Sequence, residues 1–289
     1  MKTDPQASVR VEALKALTAI QNEQVGEAIK LAVADKDKTV RVAGIDMIDQ
    51  LNIPKELMVT LLSQVIDTKT PEEKQAALLT MGNLPVQHTQ AIFENLLTKM
   101  SAGKLSQDIL LELGEAIDSS RSPALISKYK SISKEVSADT LSAAYNVSLF
   151  GGDIEKGKRI FFSNQSAQCI RCHSYDDMGG TAGPRLNGVA ARLTRPQLLE
   201  ALINPGARLA PGFGFVTLEL KGGKTVSGIL VEENATRITI KGDKQNDVIP
   251  KDQVMKRTNA ASSMPDMKLI LSKKEIRDVV SFLHTLKED

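Results

Sequence analysis

At 289 residues the chain is long enough for about two domains, each able to bury its own core. Trp is absent and aromatic residues make up only 3 %, while Ala, Leu, Ile and Val are plentiful, a composition that favours helix. The formal net charge of +2 is split between a mildly acidic first half and a mildly basic second half, which an ordinary solvated surface or an acidic partner explains equally well. No apolar run approaches the ~20 residues of a membrane-spanning helix, and basic residues are not interleaved with aromatics as in nucleic-acid binders. No phosphate-cradling Gly loop and no arguable Ser/His/Asp constellation is present.

The chain opens with Met1-Lys2-Thr3-Asp4-Pro5 and runs straight into an amphipathic pattern, with no export signal. A motif then repeats. Ser8-Val9-Arg10-x-x-Ala13-Leu14-x-x-Leu17 returns as Thr39-Val40-Arg41-x-x-Gly44-Ile45-x-x-Ile48, and more weakly as Lys74-x-x-Ala77-Leu78-x-x-Met81. Each copy follows an acidic or Pro-bearing turn: Asp4-Pro5, Asp35-Lys36-Asp37 and Thr70-Pro71-Glu72. Apolar positions at helical spacing give a buried stripe, and the small residue at the third position suits close helix approach. Further helices are expected over 25–34, 54–66, 89–100, 107–117 and 122–131. His88, after Leu84-Pro85, reads as a turn residue with no ligand role. Helix pairs at this period read as an α-solenoid. The pattern resembles HEAT repeats, most clearly over residues 4–85, which implies a scaffold or docking role for residues 1–148.

Gly151-Gly152-Asp153 marks a boundary, and residues 149–289 read as a second domain. Asp153 is placed to cap a helix over 154–162. A last helix is expected over 272–287, with Ile276, Val279, Val280, Leu283 and Leu286 as its apolar face.

Cys169-Ile170-Arg171-Cys172-His173 contains the only two cysteines of the chain. Cys-x-x-Cys-His is the attachment signature of c-type haem. One helical turn presents both thiols to one porphyrin edge, and the next residue directs its imidazole at the iron. Three other readings compete. Two structural cysteines can fall three apart by chance. A thioredoxin-like dithiol wants an apolar strand before the motif, but residues 157–162 look helical and 163–168 form a polar loop. A zinc site wants four ligands in paired spacings, yet His88 and His284 lie far off and there is no second Cys pair. The motif is read as one covalent haem c, with Cys169 and Cys172 as anchors and His173 as axial ligand. A second such pentapeptide, as a two-haem peroxidase would need, is absent.

After a helix over 196–203 and the turn Asn204-Pro205-Gly206, residues 213–257 switch to period two. β-Branched residues and turn dipeptides predict three or four antiparallel strands, a small β insert beside the haem.

Gly183-Pro184-Arg185-Leu186 resembles the Gly-Pro-x-Leu segment of class I cytochromes c. The resemblance implies that the Pro184 carbonyl accepts the Nδ1 proton of His173, orienting the ring and raising its basicity. Ser262-Ser263-Met264-Pro265 lies where Met-ligated cytochromes carry their distal residue, which implies Met264 as sixth ligand, with Met267 as the alternative in the same loop. In such cytochromes the first and last helices also cross closely. Gly157 and Phe161 match that arrangement, with Val280 and Leu283 as expected partners. His284 is expected to face solvent or pack on the last helix.

The second half as a whole resembles the C-terminal haem-binding domains of large secreted dehydrogenase-like proteins of planctomycetes, verrucomicrobia and bacteroidetes. The matching stretches are Gly151-Gly152-Asp153-x-x-Lys156-Gly157-x-x-Ile160-Phe161, the Cys169 pentapeptide, Gly183 to Leu186, Ile203-Asn204-Pro205, the hairpin over 221–232, and Met264-Pro265. HEAT repeats often precede that domain. The resemblance implies a mainly α protein: a HEAT-like solenoid followed by a class I-like monohaem cytochrome c domain. It further implies a non-enzymatic electron-transfer module, fed by a dehydrogenase module or partner and emptied by a downstream acceptor. Haem c attachment implies a periplasmic or otherwise exported chain, so the sequence is expected to be a piece of a longer secreted protein or a mature form. The rival readings are a haem enzyme or sensor with an open sixth site, and a HEAT-type binding scaffold whose haem domain is secondary.

Overall fold

The computed structural model describes residues 4–20, 23–136, 144–242 and 245–288. The chain divides into two compact units, Met1–Ala143 and Ala144–Asp289.

The described part of the first unit is helical: α1 (Ala7–Ala19), α2 (Val25–Val33), α3 (Lys38–Asp46), α4 (Lys55–Thr68), α5 (Pro71–Gly82), α6 (Val86–Ser101), α7 (Leu110–Ser119) and α8 (Pro123–Val136). The starts follow from the turn residues. The Asp37 side chain accepts the Thr39 N–H at the head of α3. Thr70 and Glu73 form a reciprocal capping box around Pro71 at the head of α5. The three motif copies occupy α1, α3 and α5, and their equivalent Leu14, Ile45 and Leu78 are all sealed in one core. His88 lies in the first turn of α6, its Nδ1 3.0 Å from Glu56 Oε1. The expected turn is helix because Pro85 caps α6 rather than interrupting it.

A side-chain ladder accompanies the repeat. Arg10 Nε and Nη2 donate to the two oxygens of Asp35 at 2.9 and 2.8 Å, and Nη1 donates to the Asp4 carbonyl. Arg41, the equivalent residue of the next copy, donates to Glu73 at 2.9 and 3.3 Å and to the Asp35 and Lys36 carbonyls. Each arginine thus fixes the turn before its own helix and a carboxylate from the turn or helix start of the following copy.

The second unit has α9 (Ile154–Ser163), α10 (Cys169–Cys172), α11 (Val189–Arg192), α12 (Arg195–Ile203) and α13 (Lys273–Leu283). Asp153 caps α9 by accepting the Lys156 N–H, and Ser272 with Glu275 boxes the start of α13. α9 and α13 cross at Gly157, where a Cβ would run into the Asp278 carbonyl and the Phe282 side chain. The expected partners Val280 and Leu283 are buried in the same cluster, but the backbone at 278 makes the closest approach. Phe161 fills the crossing, its ring 5.6 Å from that of Phe282.

A two-stranded hairpin, β1 (Ser174–Tyr175) and β2 (Met178–Gly179), follows His173 directly. The second sheet holds β3 (Phe215–Leu220), β4 (Thr225–Glu233), β5 (Arg237–Lys241), β6 (Asn246–Pro250) and β7 (Val254–Asn259), in the order β6-β5-β4-β3-β7. Every neighbouring pair is antiparallel. A single turn of tight helix, Lys251–Gln253, returns β7 to the first strand. Alternate residues Val216, Leu218, Leu230, Ile238 and Ile240 face one way and form a core of their own with Leu209 and Ile249. The fifth strand exceeds the expected three or four. No β7 side chain is fully buried, so its place comes from backbone pairing to β3 rather than from an alternating pattern.

Candidate functional site

The site is assembled on the return path from α9. Gln168 adopts a left-handed conformation at φ +46, which turns the chain into the single helical turn α10. Cys169 is half-buried and Cys172 is exposed, and both are free thiols. Burial, reinforced by the neighbouring Cys172, pushes the Cys169 thiol up to about 11. No strand leads into α10, so the thioredoxin-like reading lacks the strand-to-helix context it requires. Among the described residues no three His, Cys, Asp or Glu side chains converge as a metal-ion site.

His173 leaves the helical turn in extended conformation while its N–H still donates to the Cys169 carbonyl at 3.0 Å. Its Nδ1 lies 2.9 Å from the Pro184 carbonyl oxygen. With Nδ1–H donating there, Nε2 is the lone-pair nitrogen. The loop carrying Pro184 is stitched to the motif by two backbone bonds, Gly183 N–H to Cys172 O and Leu186 N–H to Ser174 O, each 2.8 Å. Gly183 lies against the imidazole. A Cβ there would stand 2.8 Å from Cε1 and 2.9 Å from Nδ1, so the ring occupies the space that any larger residue would fill.

Met264 is half-buried against the helical core, its N–H donating to Ser262 Oγ at 3.1 Å. Met267 is 3 % exposed and sits inside that core, in the tight turn Met267–Leu269. His284 ends α13, with Nδ1 enclosed and the ring held below its usual pKa by burial and by the nearby Arg195 and Lys287.

Two features lay outside the motif reading. Phe162 and Phe282 pack on Phe161 and both meet Tyr175, with centroids 5.1 to 6.5 Å apart, which carries the aromatic core of the helix crossing up to the strand after His173. Asn187 and Asp176 are joined by reciprocal hydrogen bonds. Both depend on tertiary contacts and carry no local signature beyond an Asp suited to a positive φ.

The donor set suits a covalently held haem: two adjacent free thiols, an imidazole with one nitrogen already satisfied, and a glycine cradle under the ring. The family model for cytochrome c matches residues 154–239, which supports a c-type cytochrome domain in the second unit. The match runs from α9 into β5, with Met264 and α13 beyond it. A cytochrome c domain points to haem-based electron transfer. No curated protein matches the chain. Among the described residues no helix is long and apolar enough to cross a membrane.

Proposed function

We propose that the second unit binds one haem c through Cys169 and Cys172, with His173 and Met264 as axial ligands, and passes single electrons from a dehydrogenase module or partner to a downstream acceptor protein. The observation that carries the reading is the 2.9 Å bond between His173 Nδ1 and the Pro184 carbonyl. It fixes the tautomer that leaves Nε2 free to ligate, and it raises the basicity of that nitrogen. When bound, the haem supplies the one-electron couple, whose potential the protein tunes through its axial ligands, burial and hydrogen bonds. Gly183 holds the imidazole plane, and the half-buried Met264 thioether offers a soft sixth donor. Met267 is committed to the core, which favours Met264 over it.

Attachment of this cofactor takes place outside the cytoplasmic membrane, so we place the protein in the periplasm or an equivalent exported setting. The first unit is read as a HEAT-like scaffold. The repeating Arg10 and Arg41 ladder supports that reading, because it recurs with the sequence motif. The test is the intact mass of the chain exported in a host with cytochrome c maturation. A gain of one haem, lost in the Cys169→Ala/Cys172→Ala double variant, supports the proposal; an unmodified mass for the parent overturns it.

A further inference from the structure

Asn187 is a buried polar residue, 6 % exposed, that touches neither His173 nor either thiol in any hydrogen bond. Its Oδ1 accepts the Asp176 N–H at 2.8 Å, and its Nδ2 donates to Asp176 Oδ1 at 3.0 Å. Asp176 holds φ at +51, a left-handed conformation that a non-glycine residue adopts when its surroundings impose it. The Arg192 guanidinium completes the unit. Its Nη1 donates to the Asn187 carbonyl at 2.8 Å and its Nη2 to the Arg185 carbonyl at 3.1 Å. The Asn187–Asp176 pair therefore ties the segment after Pro184 to the hairpin after His173, and Arg192 holds the carbonyls of that segment in place.

The placement of these bonds gives them a consequence. The Pro184 carbonyl is the acceptor for His173 Nδ1, and it is bracketed on one side by Gly183 N–H on Cys172 O. On the other side the anchors are Arg185 O, Leu186 N–H and the Asn187 side chain. A hydrogen bond of this kind raises ligand basicity in proportion to how well it is held, and electron donation through the ligand favours the ferric state.

We propose that Asn187, with Asp176 and Arg192, is a positioning unit that holds the Pro184 carbonyl on His173 and thereby keeps the potential of the haem lower than the ligand pair alone would set. The proposal rests on the haem c reading above. Asn187→Asp places a carboxylate against Asp176 and opens the clasp. In the double variant Asp176→Asn/Asn187→Asp the charge repulsion is removed: the position-187 carboxylate still accepts the backbone N–H of position 176, and the side-chain bond is rebuilt with donor and acceptor exchanged. Asn also tolerates the positive φ at position 176.

The experiment is redox titration of the exported holoprotein, with haem content measured on the same samples. The expected result for Asn187→Asp is a shift of the ferrous/ferric ratio towards ferrous by about tenfold at fixed ambient potential, equivalent to about 59 mV for a one-electron couple. The double variant should return to the parent value. Arg192→Gln, at a more exposed position, should shift the ratio in the same direction by a smaller factor and serves if Asn187→Asp does not fold. Amide exchange should show the Asp176 and Leu186 N–H groups protected together in the parent, released together in Asn187→Asp, and protected again in the double variant. An unchanged potential in haem-replete Asn187→Asp or Arg192→Gln overturns the proposal, as does a double variant that stays shifted. A parent chain with no haem overturns the earlier reading instead, a result the haem assay separates.

Discussion

Gly157 lies directly on the backbone carbonyl of Asp278, so at that point no side chain separates the backbones of α9 and α13. This contact sets the sign of a simple test. In an exposed helix interior Gly→Ala stabilises by up to ~1 kcal/mol. Here the added methyl meets backbone that cannot rotate away, and overpacking of this kind costs ~1–3 kcal/mol. Gly157→Ala should therefore lower the denaturant midpoint of the second unit, and Gly157→Val should lower it further.

The two candidate distal methionines differ in what they lose. Met264→Ala should abolish the ferric thioether band and open the iron to cyanide or carbon monoxide, with a modest effect on stability. Met267→Ala removes a core side chain that is 3 % exposed, so it should cost ~2–5 kcal/mol and leave the band in place. Absorbance and unfolding curves on the two variants separate the roles, and the reverse pattern would transfer the ligand assignment to Met267.

The arginine ladder should matter more than its exposed neighbours. Glu73 is only 1 % exposed and Arg41 is partly covered, whereas Lys38 and Glu72 form an open surface pair. Arg41→Ala strands a buried carboxylate and should cost ~2–3 kcal/mol, below the full penalty for breaking a deeply buried pair because Arg41 keeps some solvent. Lys38→Ala should cost less than ~1 kcal/mol. Thermal unfolding of the first unit's transition checks the ranking.

Acid should act oppositely on the Asp35 and Glu73 carboxyls and on that of Asp278. The hydrogen bond from Arg10 holds the Asp35 carboxyl below its ordinary range, and although burial pushes Glu73 up, Arg41 and Thr70 bring it down overall. Folded pKa values below the unfolded ones mean stability that is present above the ordinary carboxylate range and lost as pH falls through the folded values. Burial raises Asp278 despite its bond from the Asp153 N–H and the proximity of Arg277 and Lys156. A raised carboxyl favours the folded state below its unfolded pKa, and this contribution is lost as pH rises through the folded pKa. Asp278→Asn keeps an acceptor for Asp153 and should stabilise the second unit at neutral pH while flattening its pH profile. An unchanged profile by pH-resolved unfolding would count against the assignment.

Local chemistry made part of this structure readable in advance. Asp153 capping α9, the Pro71 start of α5 and the Leu14, Ile45 and Leu78 positions follow from residue type and spacing. The Cys-x-x-Cys-His and Gly-Pro segments announce their own neighbourhood because each is short and their separation is small. What stayed hidden depends on partners distant in sequence or on backbone alone. β7 has no buried apolar alternation, so only its pairing with β3 defines it. The close approach at Gly157 falls on Asp278, whose contribution is a carbonyl and not a side chain. The Asn187 clasp reads locally as two polar turn residues until the fold brings them together.

The most direct test of the account is the optical spectrum, oxidised and reduced, of the chain exported in a host with cytochrome c maturation. The account predicts sharp reduced α and β bands that survive acid–acetone extraction, together with a ferric thioether band. A colourless protein with two titratable thiols would contradict it.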